Sequence, residues 1–212
     1  MSKNLLQSHK EAWEQKPVLK KLYTHWYKEI LQQFKPEGIC LEIGGGTGNF
    51  KEFYPNTICT DIVNLPWLDL ITTAEKLPFK KHSFDNIILF DVLHHIENPY
   101  YFFSEALRVL KTNGRLIMME PFISVLSWPV YHFLHPEPVN FNSSPLEIVP
   151  AQKNRQPFDS NQATANQLFY NKRSQFQKNF PQFEIVHKKQ SEVDPKSRTI
   201  VSRFKVYRFL FL

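Results

Sequence analysis

Cysteine is scarce in this chain, with only Cys40 and Cys59 among 212 residues. Two isolated thiols supply neither a disulfide framework nor a Cys-x-x-Cys metal site, and their ordinary use is as small buried hydrophobes in a reducing setting. Residues 1–21 are polar and rich in Lys and Gln, without the apolar core that a secretory leader needs, so a cytoplasmic protein is expected. Residues 121–134 contain no Asp, Glu, Lys or Arg, yet this run falls short of the ~20 apolar residues of a membrane span and is interrupted by Pro129. Dense basic runs are missing as well. The formal net charge is +6 and the pI about 9.2, but cations such as Lys172, Arg173, Lys188 and Lys189 are interleaved with aromatics and acids, as on a solvated face.

What is present begins with residues 41–48, Leu-Glu-Ile-Gly-Gly-Gly-Thr-Gly, which follow the apolar stretch Gly38-Ile39-Cys40. This reads as a strand ending in a glycine-rich turn. Gly44, Gly46 and Gly48 let the backbone turn sharply and let a ligand approach without meeting a Cβ. A dinucleotide fingerprint would need glycine at position 49, where the chain has Asn49. A second short strand over residues 57–60 ends on Asp61, whose carboxylate can accept hydrogen bonds from both hydroxyls of a ribose. Further along come Ala74-Glu75-Lys76-Leu77-Pro78-Phe79, Ser83-Phe84-Asp85, a strand over 86–90, Asp91-Val92-Leu93-His94-His95, and Arg108-Val109-Leu110-Lys111-Thr112-Asn113-Gly114.

In these blocks and their order, residues 37–121 resemble the class I S-adenosylmethionine-dependent methyltransferases, specifically the small-molecule enzymes with E-x-G-x-G-x-G, A-E-x-L-P-F, S-F-D, L-H-H and R-V-L-x-x-G-G motifs. Two positions depart from that pattern: Thr73 stands where the family often has Asp, and Asn113-Gly114 replaces Gly-Gly. Asn-Gly meets the same positive-φ demand. The resemblance implies a Rossmann-like α/β fold with a seven-stranded, mostly parallel sheet, a terminal antiparallel hairpin and helices on both faces. It also implies S-adenosylmethionine as cofactor and S-adenosylhomocysteine as product. Glu42 would face the amino-acid end of the cofactor, Gly44 and Gly46 would bring backbone against it, and Asp61 would hold the ribose. Ala74 and Glu75 would lie beside adenine, with a backbone contact from Phe90.

One domain is expected over residues 1–212, since a chain of this length with 42% hydrophobic residues can bury a full core. Residues 1–35 read as one or two amphipathic helices, broken near Pro17, forming a cap. Residues 37–121 form the cofactor-binding core, with a helix over 49–54, a weak third strand around 68–72, a helix over 99–110 and a fifth strand over 116–119. Residues 122–157, rich in proline and aromatics, leave the end of the fifth strand and are expected to form the acceptor pocket or its lid. A helix over 161–178 and two strands over 183–189 and 199–211, separated by a loop with Pro195, complete the chain.

Direct displacement at a methyl carbon needs few catalytic groups, because alignment supplies much of the acceleration. His95, and after it His94, are the candidate bases, since imidazole titrates near neutrality and both lie just beyond the fourth strand. His132, His135 and Glu137 are ligand types that zinc accepts, but Pro136 and Pro138 spread them along an extended stretch, and no metal is expected. The expected acceptor is a small or lipid-like molecule, methylated at oxygen in preference to nitrogen or carbon. An RNA methyltransferase and a non-catalytic cofactor-binding subunit are the alternatives. Asn98-Pro99-Tyr100 lacks one proline of the N-P-P-Y motif and lies eight residues beyond Phe90, which disfavours a nucleic-acid amino methyltransferase. The sequence leaves oligomeric state open.

Overall fold

Alternation along two central strands divides the interior into two layers. In a computed structural model that describes residues 2–125, 127–150, 153–190 and 197–204, β4 (Phe84–Phe90) sends Ile87 and Leu89 to one face and Ile88 and Phe90 to the other. In β5 (Leu110–Pro121), Leu116 and Met118 share the first face, and Ile117 and Met119 the second. Strands apolar on both sides belong to a parallel sheet covered by helices on both faces. The sheet also contains β1 (Cys40–Ile43), β2 (Thr57–Asp61) and β3 (Leu70–Ile71), followed later by β6 (Phe183–Gln190) and β7 (Ser197–Phe204). Its order is β3-β2-β1-β4-β5-β7-β6; the first five strands are parallel, and β7 runs antiparallel to both neighbours. The expected terminal hairpin is therefore present.

On the first face lies α3 (Pro99–Val109), whose Phe102, Phe103 and Ala106 are fully buried. Phe103 packs 4.9 Å from Phe176 of α6 (Arg173–Asn179), ring centre to ring centre. Each such aromatic side chain removed from water contributes roughly 1.5–3 kcal/mol. On the second face lie α1 (Ser2–Gln15) and α2 (Pro17–Leu31), with Trp13, Tyr27 and Ile30 turned inward against Phe50 and Ile88. Pro17 occupies the first turn of α2, where its missing N–H leaves no helical bond unmade, and it ends α1 as expected.

Three elements differ in form from the sequence reading. Residues 49–54 contain only a 3-10 turn over Asn49–Glu52. β5 starts at Leu110, directly after α3, and its turn is carried by Asn113 at φ 61°. The helix expected over 161–178 is broken into α5 (Thr164–Asn166), a π turn over Gln167–Asn171, and α6. The Pro195 loop and residues 205–211 lie outside the described residues.

The segment after β5 is bound to the core at both ends. It contains one short helix, α4 (Trp128–Phe133). The Asn166 side chain accepts the Ile123 N–H and donates to the Ile123 carbonyl, both at 2.9 Å. Farther on, Asn161 N–H donates to the His94 carbonyl at 2.9 Å, fastening the returning chain to the end of β4.

Candidate active site

The carboxyl ends of β1, β2 and β4 meet where the strand order reverses, the place where open α/β sheets bind ligands. Gly44 and Gly46 have φ of 68° and 47° there, a left-handed conformation that side chains resist. A Cβ on Gly46 would touch Leu6 of α1 at 3.5 Å, an ordinary contact distance, so α1 lies against this backbone. Asp61 closes the turn: its Oδ2 accepts the Gly46 N–H at 3.0 Å and its Oδ1 accepts the Val63 N–H at 2.9 Å. Each oxygen keeps a lone pair, so the carboxylate can also accept ribose hydroxyls. Trp67 Nε1 donates to the Gly46 carbonyl at 2.9 Å, and Lys10 of α1 donates to the Thr47 carbonyl at 3.0 Å. The amino-terminal cap thus sits on the glycine turn.

The other expected cofactor residues occupy more structural positions. Glu42 is 4% exposed and accepts the Cys59 thiol proton at 2.9 Å beneath Gly45. Burial pushes its carboxyl up to about 7, against the opposing effect of that hydrogen bond. Ala74 packs against the core, and Glu75 accepts the Asn98 N–H at 2.6 Å, at the start of α3. Phe90 ends β4 and sends its ring toward Tyr23 and Trp26 of α2, at 5.4 and 5.6 Å. Thr73 is exposed.

At the end of β4 lies a cavity of about 160 Å³, walled by Tyr23, Trp26, Phe90 and Tyr131 and carrying Asp91 and Glu137. Asp91 follows β4 at φ 61°, with 61% of its side chain exposed. The protein packed around it raises its carboxyl to about 6; His94 opposes that shift, and Glu120 and Glu137 add to it. His94 is buried, with Nδ1 2.8 Å from Glu120 Oε2 and Nε2 3.5 Å from Glu137 Oε2. Burial disfavours its charge, but the hydrogen bonds to Glu120 and Glu137 outweigh that penalty and lift it to about 10. A protonated imidazole has no lone pair with which to act as a base, so the geometry argues against that role for His94. His95 is shifted the other way, first by burial and then by the charge on His94, and its Nδ1 is buried without a hydrogen-bond partner.

Glu120 and Gln162 were not singled out from sequence. Besides His94, Glu120 accepts the Val92 and Leu93 N–H groups at 2.9 and 2.8 Å, so it fixes the turn after β4. An acid at the end of the otherwise apolar run 116–121 was the available signal. Gln162 and Ser160 both donate to Glu137 Oε2. His132 stacks on Trp128 at 4.5 Å, outside the cavity's lining, while His135 is part of that lining. Donor atoms of His94, His95 and Glu137 lie within 4.8 Å of one another, as do those of Asp91, His94 and Glu120. Most of these atoms are already engaged with each other or with the fold.

Residues 41–118 match the family model described as a methyltransferase domain. That segment is a methyltransferase domain, set in a Rossmann-like sheet. S-adenosylmethionine is the cofactor expected of such a domain, and the left-handed backbone at Gly44 and Gly46 together with the partly exposed Asp61 carboxylate fits that ligand. An uncharacterized protein of Methanocaldococcus jannaschii is 37% identical over 98 residues, covering 42% of this chain and 48% of the relative, so the match spans about half of the relative's length. A Thermotoga maritima structure described as an S-adenosylmethionine-dependent methyltransferase, a possible histamine N-methyltransferase, superposes with a TM-score of 0.58 at 19% identity. That similarity covers 91% of this chain and all of the other. A Pyrococcus horikoshii protein gives 0.59 at 17% identity, covering 88% and 91%. Both likenesses concern the fold. No helix among the described residues is long and apolar enough to cross a membrane.

Proposed function

We propose that this protein is a cytoplasmic enzyme that transfers a methyl group from S-adenosylmethionine to a small-molecule acceptor held in the aromatic cavity beside β4. The observation that carries the reading is that Val92, whose side chain lies against Gly44 of the glycine turn, directly follows Phe90 and Asp91, which line that cavity. When bound, the cofactor supplies a methyl group on a sulfonium, ready for displacement.

The chain's own residues would act on the acceptor. The rings of Tyr23, Trp26, Phe90 and Tyr131 wall the cavity, exclude water and restrict the acceptor's orientation. Asp91, raised to about 6, is poised to receive a proton from the attacking atom, and His95 is a second candidate. His94 and Glu120 hold the turn that aims Asp91. The preference for an oxygen acceptor loses part of its support with the protonation of His94. Acidic groups in the cavity also oppose a phosphate-bearing substrate, which weighs against RNA.

Calorimetric titration of S-adenosylhomocysteine into wild type and Asp61→Ala tests the cofactor half of the proposal. Removing a hydrogen-bond acceptor for the ribose should weaken binding by ~1–3 kcal/mol. Folded wild-type protein that binds neither S-adenosylmethionine nor its product would overturn the proposal.

A further inference from the structure

Three carboxylates surround His94, and they differ in how far the fold already engages them. Glu120 is buried out of reach, holding two backbone N–H groups and the imidazole. Glu137 Oε2 accepts from Ser160 and Gln162 and faces His94. Asp91 differs. Its nearest charged partner is His94 Nε2, 4.0 Å away and beyond hydrogen-bond reach, and its side chain opens into the cavity. Three acids stand here against the imidazoles of His94 and His135, so acidic groups outnumber basic ones at this end.

Aromatic side chains line the same cavity. Tyr23 and Trp26 pack 5.1 Å apart and both lean on Phe90, and Tyr131 reaches in from α4. Aromatic rings attract cations through their negative faces, most strongly where water is excluded, and they bury apolar carbon at the same time. A neutral alcohol would leave the Asp91 charge uncompensated, and an anionic acceptor would be repelled.

We infer that the acceptor is a small amine, bound as its ammonium ion against Asp91 with its carbon skeleton on the Tyr23, Trp26, Phe90 and Tyr131 rings. This inference rests on the reading of the cavity as the acceptor site. Its size suits a molecule of about one ring and a short chain, well below the ~300 Å³ at which drug-sized pockets begin. For transfer, the ammonium gives one proton to the Asp91 carboxylate. The freed nitrogen lone pair forms the N–CH₃ bond while the S–CH₃ bond breaks with its electron pair staying on sulfur. The products are a methylated ammonium and the neutral thioether, and Asp91 releases its proton to solvent.

The test uses phenethylamine and benzylamine against their neutral isosteres, 2-phenylethanol and benzyl alcohol. Each is titrated into wild type, Asp91→Asn and Tyr131→Ala, with and without S-adenosylhomocysteine, and folding is checked by thermal melting. The amines should bind about tenfold more tightly than the alcohols, as a cation–π contact together with a carboxylate partner allows. Asp91→Asn should bring the two classes within about twofold, while Tyr131→Ala should weaken both. Equal binding of amine and alcohol to wild type, no binding of either amine, or a preference that survives Asp91→Asn overturns the inference. Zinc that competes with the amine and is lost in Asp91→Asn would overturn it in favour of a metal centre. Failure to bind S-adenosylhomocysteine would strike the methyltransferase proposal separately, since the amine preference is also read without it.

Discussion

His94 Nδ1 and Glu120 Oε2 lie 2.8 Å apart in the interior, and the charge of each is tolerable there only because of the other. His94 has a folded-state pKa of about 10, above its ordinary 6.5. The stability gained from this shift is fully present below pH 6.5 and is lost as pH rises through about 10. Nitrogen-15 NMR should therefore find His94 doubly protonated at pH 8, while His95 is neutral there and protonates only below the usual histidine range. His94→Leu should cost about 3–5 kcal/mol in denaturant unfolding, because it strands a buried carboxylate. Adding Glu120→Gln should recover part of that loss. A simple additive penalty would show that the pair is not one unit.

Glu42 sets the opposite trend. Its carboxyl, raised to about 7 in the folded chain, still holds a proton over a range where the unfolded chain has released it. Stability from this group should fall as pH rises from 4.5 and be fully lost above 7. The loss is about 3 kcal/mol from the size of the shift. Glu42→Gln keeps an acceptor for the Cys59 thiol and should be more stable than wild type at pH 8 by roughly that amount, with little difference at pH 4.5. Parallel stability–pH curves for the two proteins would refute a buried, proton-holding Glu42.

Gly45 and Cys59 should behave as a coupled pair. A Cβ at position 45 would lie 2.1 Å from the Cys59 sulfur. Gly45→Ala is expected to cost about 1–3 kcal/mol through overpacking. Combining it with Cys59→Ala should give a double mutant more stable than the sum of the single effects, as read by a thermodynamic cycle.

Lys10 fastens α1 to the glycine turn through the Thr47 carbonyl and lies 5.3 Å from the Trp67 ring centre. Lys10→Ala should accelerate hydrogen exchange at the Gly48 amide, which bonds the Gly45 carbonyl, and should raise the dissociation rate of S-adenosylhomocysteine. Unchanged exchange at Gly48 would show that the turn holds its shape without the cap.

The cofactor half of this fold was legible because local chemistry determines it. The glycines demand left-handed backbone, β2 ends on Asp61 as the residues suggest, and Pro17 marks the break between α1 and α2. The acceptor half was less legible, for long-range reasons. Glu120, His94, Glu137 and Gln162 meet only after residues separated by up to 68 positions are folded together, and no periodicity in the chain encodes that meeting. The helix over 161–178 was misjudged because Asn161 and Asn166 spend their side chains on other segments, and a π turn replaces the continuous helix. Asp91 was visible in the sequence, but its exposure into a cavity is a product of tertiary structure.

The paired bonds between Ile123 and Asn166 bring together the two ends of a 42-residue excursion that supplies Tyr131 and Glu137 but none of the glycine turn. That makes the segment an exchangeable cassette. Substitutions within it can retune what the cavity admits while the machinery that holds the methyl donor goes on unchanged, so sister proteins with one cofactor grip and different diets are the natural evolutionary product of this architecture.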